Sequence, residues 1–392
     1  MTTTTFASAP SAGADLSEEG LLALAAERTG LSDFGEDGFR EGLRALLAMY
    51  TTTARLTPEG RKATQRRLVE LLANRTLVAR AFQEHPEIRG RAVRSPMYLT
   101  GLPRTGTSAL FNVLGADPSS RPLLYWEGKH PDPLRPPAAG GEDPRLSALR
   151  EAIARAQKKN PEFTKIHEVH ADAPEECIQL LAHTLGGVQM GIEPLLSPYR
   201  EWFERQDLRA PYAYYADLLR LVDWQRPGKR WLLKSPAHLW ALDVLVEMFP
   251  DACIIQTHRD PIPVVASYCS MMFAMMRGRE GVDRLELGPT VLEYLARSAE
   301  RGMAARDRSD PRRFVDVRYR DFVKDPLGTV AEIYDVFRLE LTPAAEKAMR
   351  GHVESHPQNK HGTHDYSLEE FGLTPERVRK RLAGYIERFE LA

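Results

Sequence analysis

A chain of 392 residues, 43% hydrophobic and 27% charged, has enough apolar material for one large α/β domain and a smaller appendage. Its formal net charge of −1 argues against general affinity for polyanions, so nucleic acid is not expected as a partner and any anion site must be built locally from arginines and backbone amides. Three cysteines without paired spacing, Cys177, Cys253 and Cys269, argue against a disulfide scaffold and fit reduced thiols in a cytoplasmic protein.

In chain order, residues 1–17 have no basic start followed by an apolar run, so they read as a disordered tail and not a signal peptide. Residues 18–90 form a helical N-terminal region, because "LLALAAERTGL", "LRALLAMY" and "RRLVELLANRTLVARAF" carry apolar positions at three- and four-residue steps. "HPEIRGRAVRSP" breaks that pattern, and an α/β domain is expected over 91–392. There "MYLTG", "RWLLKS", "ACIIQTH" and "RFVDVRY" alternate with helical stretches starting at Thr107, about Ala237 and Pro261. The fold class expected is therefore α/β: a P-loop-type parallel sheet flanked by helices, with a helical N-terminal region. Residues 130–144 read as a Pro/Gly-rich loop. No apolar run approaches the length of a membrane span.

The loop after the first strand, "GLPRTGTSAL", is nearly a Walker A motif. Gly101, Gly106 and Ser108 hold their places, Thr107 stands where the lysine belongs, and the basic residue is Arg104. Between strand and helix such a loop offers backbone amides, a helix N-terminus and the hydroxyls of Thr105, Thr107 and Ser108 to an anion. A second stretch, residues 230–271, has one strand ending at Lys234, His238 shortly after it, another strand ending at His258 and Arg259, and Ser267 on the next helix. Ligands bind at strand C-termini in open parallel sheets, so Lys234, His238, Arg259 and Ser267 are expected around the same crevice as the loop.

Together these motifs resemble the sulfotransferases that use 3′-phosphoadenosine 5′-phosphosulfate (PAPS), in particular a bacterial branch with an extra helical N-terminal region. "PRTGTS" resembles that superfamily's 5′-phosphosulfate loop, and "RDPIPVVAS" its arginine and serine, eight positions apart, on the 3′-phosphate. The resemblance implies PAPS as co-substrate, the bisphosphate PAP as product, and a small-molecule acceptor. It assigns Arg104, Thr105, Gly106, Thr107, Ser108, Arg259 and Ser267 to the donor, with Tyr319 of "VRYRDFVKDP" at the adenine and Lys360 of "NKHGTH" at the 3′-phosphate. A phosphosulfate has no β,γ pair to clamp, which accounts for the missing Walker lysine; Arg104, with the loop amides, Thr107 and Ser108, is expected to act catalytically by stabilising the moving sulfuryl group and the leaving phosphate.

Two bases are open. "KSPAHL" keeps the order of a strand-end lysine and a catalytic histidine, with two residues more between them than in the cytosolic branch, giving Lys234 and His238. The alternative is Glu176, or Glu175, in the acidic first turn of "DAPEECIQLL". "HEVH", with His167, His170 and nearby Asp172, lacks the H-E-x-x-H spacing, so no metal is expected. An apolar acceptor is suggested by Met271, Met272, Phe273, Met275 and Met276 after Ser267, with Tyr125 and Trp126 as an aromatic wall. Homo-oligomer formation through a sheet edge or helix face is left open, as are a P-loop kinase-like phosphotransferase and a non-catalytic nucleotide-binding protein.

Overall fold

The computed structural model describes residues 14–133, 142–159, 170–189, 193–276, 278–356 and 367–391. Three helices open the chain: α1 (Glu18–Thr29), α2 (Phe39–Thr52) and α3 (Pro58–Glu84). Local chemistry sets their ends. The Ser17 hydroxyl caps α1, Gly30 ends it at φ 69°, and Thr57 caps α3 with Pro58 at its first position. Leu16 is buried, so the folded chain reaches back before residue 18.

Five strands follow: β1 (Met97–Gly101), β2 (Ser120–Pro122), β3 (Arg230–Lys234), β4 (Cys253–His258) and β5 (Phe314–Arg318). They form one parallel sheet in the order β2-β3-β1-β4-β5. β1 is buried along its whole length, as expected of a central strand covered on both faces. β2 has no counterpart in the sequence reading; three residues ending in proline carry neither alternation nor an apolar run.

Helices placed after the strands cover both faces: α4 (Thr107–Gly115), α5 (Arg209–Gln225), α6 (Pro261–Met275), α7 (Arg284–Asp307), α8 (Pro326–Val336), α9 (Pro343–Ser355) and α10 (Ala383–Phe389). Tyr98, Leu233 and Ile254 face one side, where their core is continuous with Leu219 of α5, Val265 of α6, Val291 of α7, and Leu43 and Leu72 of the N-terminal helices. Met97, Leu99 and Leu232 face the other side, against Leu110 and Phe111 of α4, Ile333 of α8 and Met349 of α9. The alternation of β1 residues between two cores follows from the two-residue period of a strand.

Buried polar groups fasten the N-terminal helices to the body. The Arg75 guanidinium donates to the carbonyls of Phe34, His183 and Glu36 and lies 4.2 Å from the Tyr214 ring centroid. Tyr50 donates to Glu193 at 2.6 Å, and Arg67 donates to the same carboxylate oxygen at 2.7 Å. No described helix is long and apolar enough to cross a membrane.

Candidate active site

The crevice lies at the C-terminal ends of β1, β3 and β4, in the middle of the sheet. The chain leaves β1 through Gly101 at φ 137°, where an added Cβ would lie 2.5 Å from the Thr257 carbonyl oxygen. It passes Arg104 at φ 67° and enters α4 from Gly106 at φ 91°. No side chain among the described residues caps α4, which leaves its first amides to serve an anion. A Cβ on Gly106 would sit 2.5 Å from Cδ2 of Tyr319, which places that ring directly against the loop. Thr105 turns the other way: its buried hydroxyl lies 2.6 Å from both the Leu102 carbonyl and Thr257 Oγ1. It braces the loop against β4 and does not offer its hydroxyl to the crevice, contrary to the sequence expectation for that group. Thr257, which no motif marks, is its partner.

At one end of the crevice Lys234 Nζ donates to Ser108 Oγ at 2.9 Å and pairs with Glu176 Oε1 at 3.1 Å. Glu176 arrives on a segment stitched to the strand ends. The Tyr125 amide donates to Ala173, the Glu175 amide to Leu123 at 2.8 Å, and the Cys177 amide to Lys234 at 2.8 Å. The Glu175 carboxylate accepts the Glu176 amide at 2.7 Å. Lys234 is buried, while the Glu176 side chain keeps 26% of its surface exposed.

At the other end Arg104 Nε donates to Ser267 Oγ at 2.9 Å, and Arg259 Nη1 donates to the Arg104 carbonyl at 3.2 Å. The Arg259 guanidinium lies over the Tyr319 ring, 4.3 Å from its centroid. Arg104 therefore ties the loop to both residues of the Arg-x7-Ser pair, where the sequence reading places its side chain among the groups around the transferring sulfuryl. Two guanidinium groups, the hydroxyl-bearing start of α4, the Ser267 hydroxyl of α6 and an ammonium around one crevice can hold an extended ligand with anionic groups at both ends.

His238 does not join them, and this corrects the expectation that it faces the crevice. It lies on the 3₁₀ turn Pro236–Ala241, fully buried. The Tyr212 hydroxyl meets its Nδ1 at 2.8 Å, and the rings of Tyr98, Tyr212 and Tyr215 surround it. Nε2 has no partner among the described residues, and burial pushes the imidazole down to about 3.

The methionine segment also divides differently from its expected role as a pocket wall. Met272 and Met276 are buried in the core, Met271 and Phe273 pack against it, and Met275 is exposed. Trp126 packs with Leu149 and Ala171 under the Arg145 guanidinium. Lys360, His361, Gly362 and His167 lie outside the described residues. Asp172 pairs with Arg150 at 3.1 Å, and no group of three or more potential metal ligands occurs among the described residues.

Residues 96–343 match the model of the Sulfotransferase family. Two curated relatives, the omega-hydroxy-beta-dihydromenaquinone-9 sulfotransferases Stf3 of Mycobacterium bovis and Mycobacterium tuberculosis, are each 28% identical over 158 residues, 38% of this chain. The chain spans 39% of the length of these curated relatives. Among solved structures, sulfotransferase STF1 from Mycobacterium tuberculosis is 37% identical, with a TM-score of 0.84 over 94% of this chain and 98% of that one. Sulfotransferase STF9 from Mycobacterium avium is 29% identical, with a TM-score of 0.87 over 96% and 98%.

Proposed function

Because the chain belongs to the sulfotransferase family, we propose that it moves a sulfuryl group from PAPS to a hydroxyl of a largely apolar small molecule. The observation that carries this reading is the continuity of the crevice. The Gly-rich loop touches Lys234 through Ser108 and touches Ser267 and Arg259 through Arg104, as a donor with phosphosulfate at one end and a 3′-phosphate at the other requires. The name of the Stf3 relatives, which act on a hydroxylated menaquinone derivative, supports an apolar acceptor.

In this reading Arg259, Ser267 and Arg104 hold the 3′-phosphate end, Tyr319 borders the adenosine, and the loop amides with Thr107 and Ser108 hold the 5′-phosphosulfate. The donor supplies an activated sulfuryl group on a phosphate leaving group. Glu176 is the base: its carboxylate, 3.1 Å from the Lys234 ammonium and partly exposed at the rim of the crevice, takes the acceptor's hydroxyl proton. As the acceptor oxygen bonds to sulfur, the bridging S–O bond breaks and its electron pair passes to the 5′-phosphate. The pair with Glu176 weakens once that carboxylate is protonated, which frees Lys234 to stabilise the charge growing on the bridging oxygen. His238, enclosed in aromatic rings, takes no part.

The test is ligand binding followed by turnover. Adenosine 3′,5′-bisphosphate should raise the melting temperature; at about 100 times its Kd a native-state ligand adds ~2.7 kcal/mol. Mass-detected sulfation of a mixed acceptor set should favour steroid, phenolic or long-chain alcohols over sugars. Stabilisation by ATP with magnesium and not by the bisphosphate would instead establish the kinase-like reading.

A further inference from the structure

The C-terminal helix α10 supplies none of the groups assigned to the donor, yet it is fastened beneath them. Arg381, just before it, bonds Glu293 at 2.7 Å and Glu300 at 2.5 Å on α7, and Arg388 pairs with Asp307 at 2.7 Å. Arg318, at the end of β5, donates to the Phe389 carbonyl at 3.2 Å and to the Glu390 carboxylate.

From α10, Phe389 lies on the imidazole of His258 with centroids 3.8 Å apart and planes 21° from parallel, and the Tyr385 hydroxyl meets His258 Nδ1 at 3.1 Å. His258 ends β4 and directly precedes Arg259. Its Nε2 lies 2.7 Å from Asp316 Oδ1, and both terminal nitrogens of Arg306 donate to that carboxylate.

These contacts set the direction of every proton. Burial opposes ionisation of Asp316, but the hydrogen bonds from Arg306 and His258 hold its carboxyl far below the usual range. The aspartate can only accept, so Nε2 of His258 carries the hydrogen and Nδ1 accepts from Tyr385. Burial lowers the His258 pKa and keeps the ring neutral. Tyr385 and Asp316 thereby hold the His258 ring at both of its nitrogens. On the far side of Arg259, Asp260 caps α6 by accepting the Ile262 amide at 3.1 Å. Arg259 is thus the single residue between two fixed points, and among the described residues its side chain has one carbonyl contact and one ring contact of its own.

We propose that His258 and Tyr385 are positioning residues for Arg259, holding its backbone so that the guanidinium is already aimed at the 3′-phosphate when the donor arrives. The inference rests on the assignment of the crevice to PAPS. An ordered guanidinium loses less side-chain freedom on binding, so the effect falls on affinity for the 3′-phosphate and not on chemistry at sulfur.

The experiment is calorimetry on the full chain with adenosine 3′,5′-bisphosphate and with adenosine 5′-monophosphate, for the wild type and for Tyr385→Phe, which keeps the ring and removes the hydroxyl. The Kd of the bisphosphate should rise about five- to tenfold, the worth of roughly one net hydrogen bond. The Kd of the monophosphate should stay unchanged. In steady-state assays the donor KM should rise while kcat at saturating donor holds within about twofold, since the loss is in binding. Unchanged bisphosphate affinity in Tyr385→Phe, or an equal loss for both nucleotides, overturns the proposal. A wild type that does not prefer the bisphosphate overturns the assignment of the crevice itself, before any substitution is made.

Discussion

Glu176 and His238 are both attached to the end of β3, and they have opposite fates. The residue after Glu176 bonds the Lys234 carbonyl, while the His238 amide bonds Ser235 one residue further on. Glu176 stops at the rim of the crevice, a quarter of its side chain exposed and its carboxylate on the Lys234 ammonium. His238 turns under the sheet into a pocket of tyrosines. The residue with the better intrinsic pKa for proton transfer is the one without access. A few residues of chain at a strand end decide whether a titratable group reaches the crevice or fills the core, and geometry comes before pKa in the choice of a candidate base.

The largest expected effect reverses if this contrast is wrong. Glu176→Gln should lower kcat by about two to four orders of magnitude, as loss of a general base does, with bisphosphate affinity nearly unchanged. His238→Leu, apolar and of similar bulk, should keep kcat within about threefold, because its imidazole reaches no substrate. A pair of turnover measurements with the opposite ranking would make His238 the base.

The pH dependence of stability sharpens the contrast at intermediate size. His183 and His238 are both pushed down to about 3 by burial. Between the unfolded value of ~6.5 and about 3 the unfolded chain binds more protons than the folded one, so stability falls as pH falls and is fully present only above about 6.5. Each histidine contributes a slope of ~1.4 kcal/mol per pH unit in that window. Urea titrations at several pH values should show His238→Leu losing one histidine's share of the slope and Glu176→Gln keeping it.

The smallest effect concerns the pocket itself. Tyr212→Phe leaves His238 Nδ1 without its hydroxyl partner and should cost about 1 kcal/mol of unfolding free energy, the order of one buried hydrogen bond. Turnover should not change. A drop in kcat without a drop in stability would connect the pocket to catalysis.

Much of the proposed donor site is legible in sequence because its signals are local. A Gly-rich turn between a buried strand and a helix needs only neighbouring residues to define an anion site, and Gly101 and Gly106 carry the positive φ values such a turn demands. The same holds for Arg259 and Ser267. One follows the last residue of a strand and the other sits about two helical turns later, so their spacing already places them on the same end of the sheet.

What the sequence determined alone, then, is the order of β1, β3, β4 and β5 with the helical stretches between them, the loop, and the strand-end residues, all set by periodicity and backbone preference over a few residues. Only the tertiary structure decided which side chains reach the crevice. Glu176 is defined by an ion pair across 58 residues of chain, from 176 to 234. Thr105 is turned inward by a hydroxyl 152 residues away, and His258 is held by an aspartate and a tyrosine 58 and 127 residues on. Access and hydrogen-bond partnership are properties of packing between distant segments, and no local pattern encodes them.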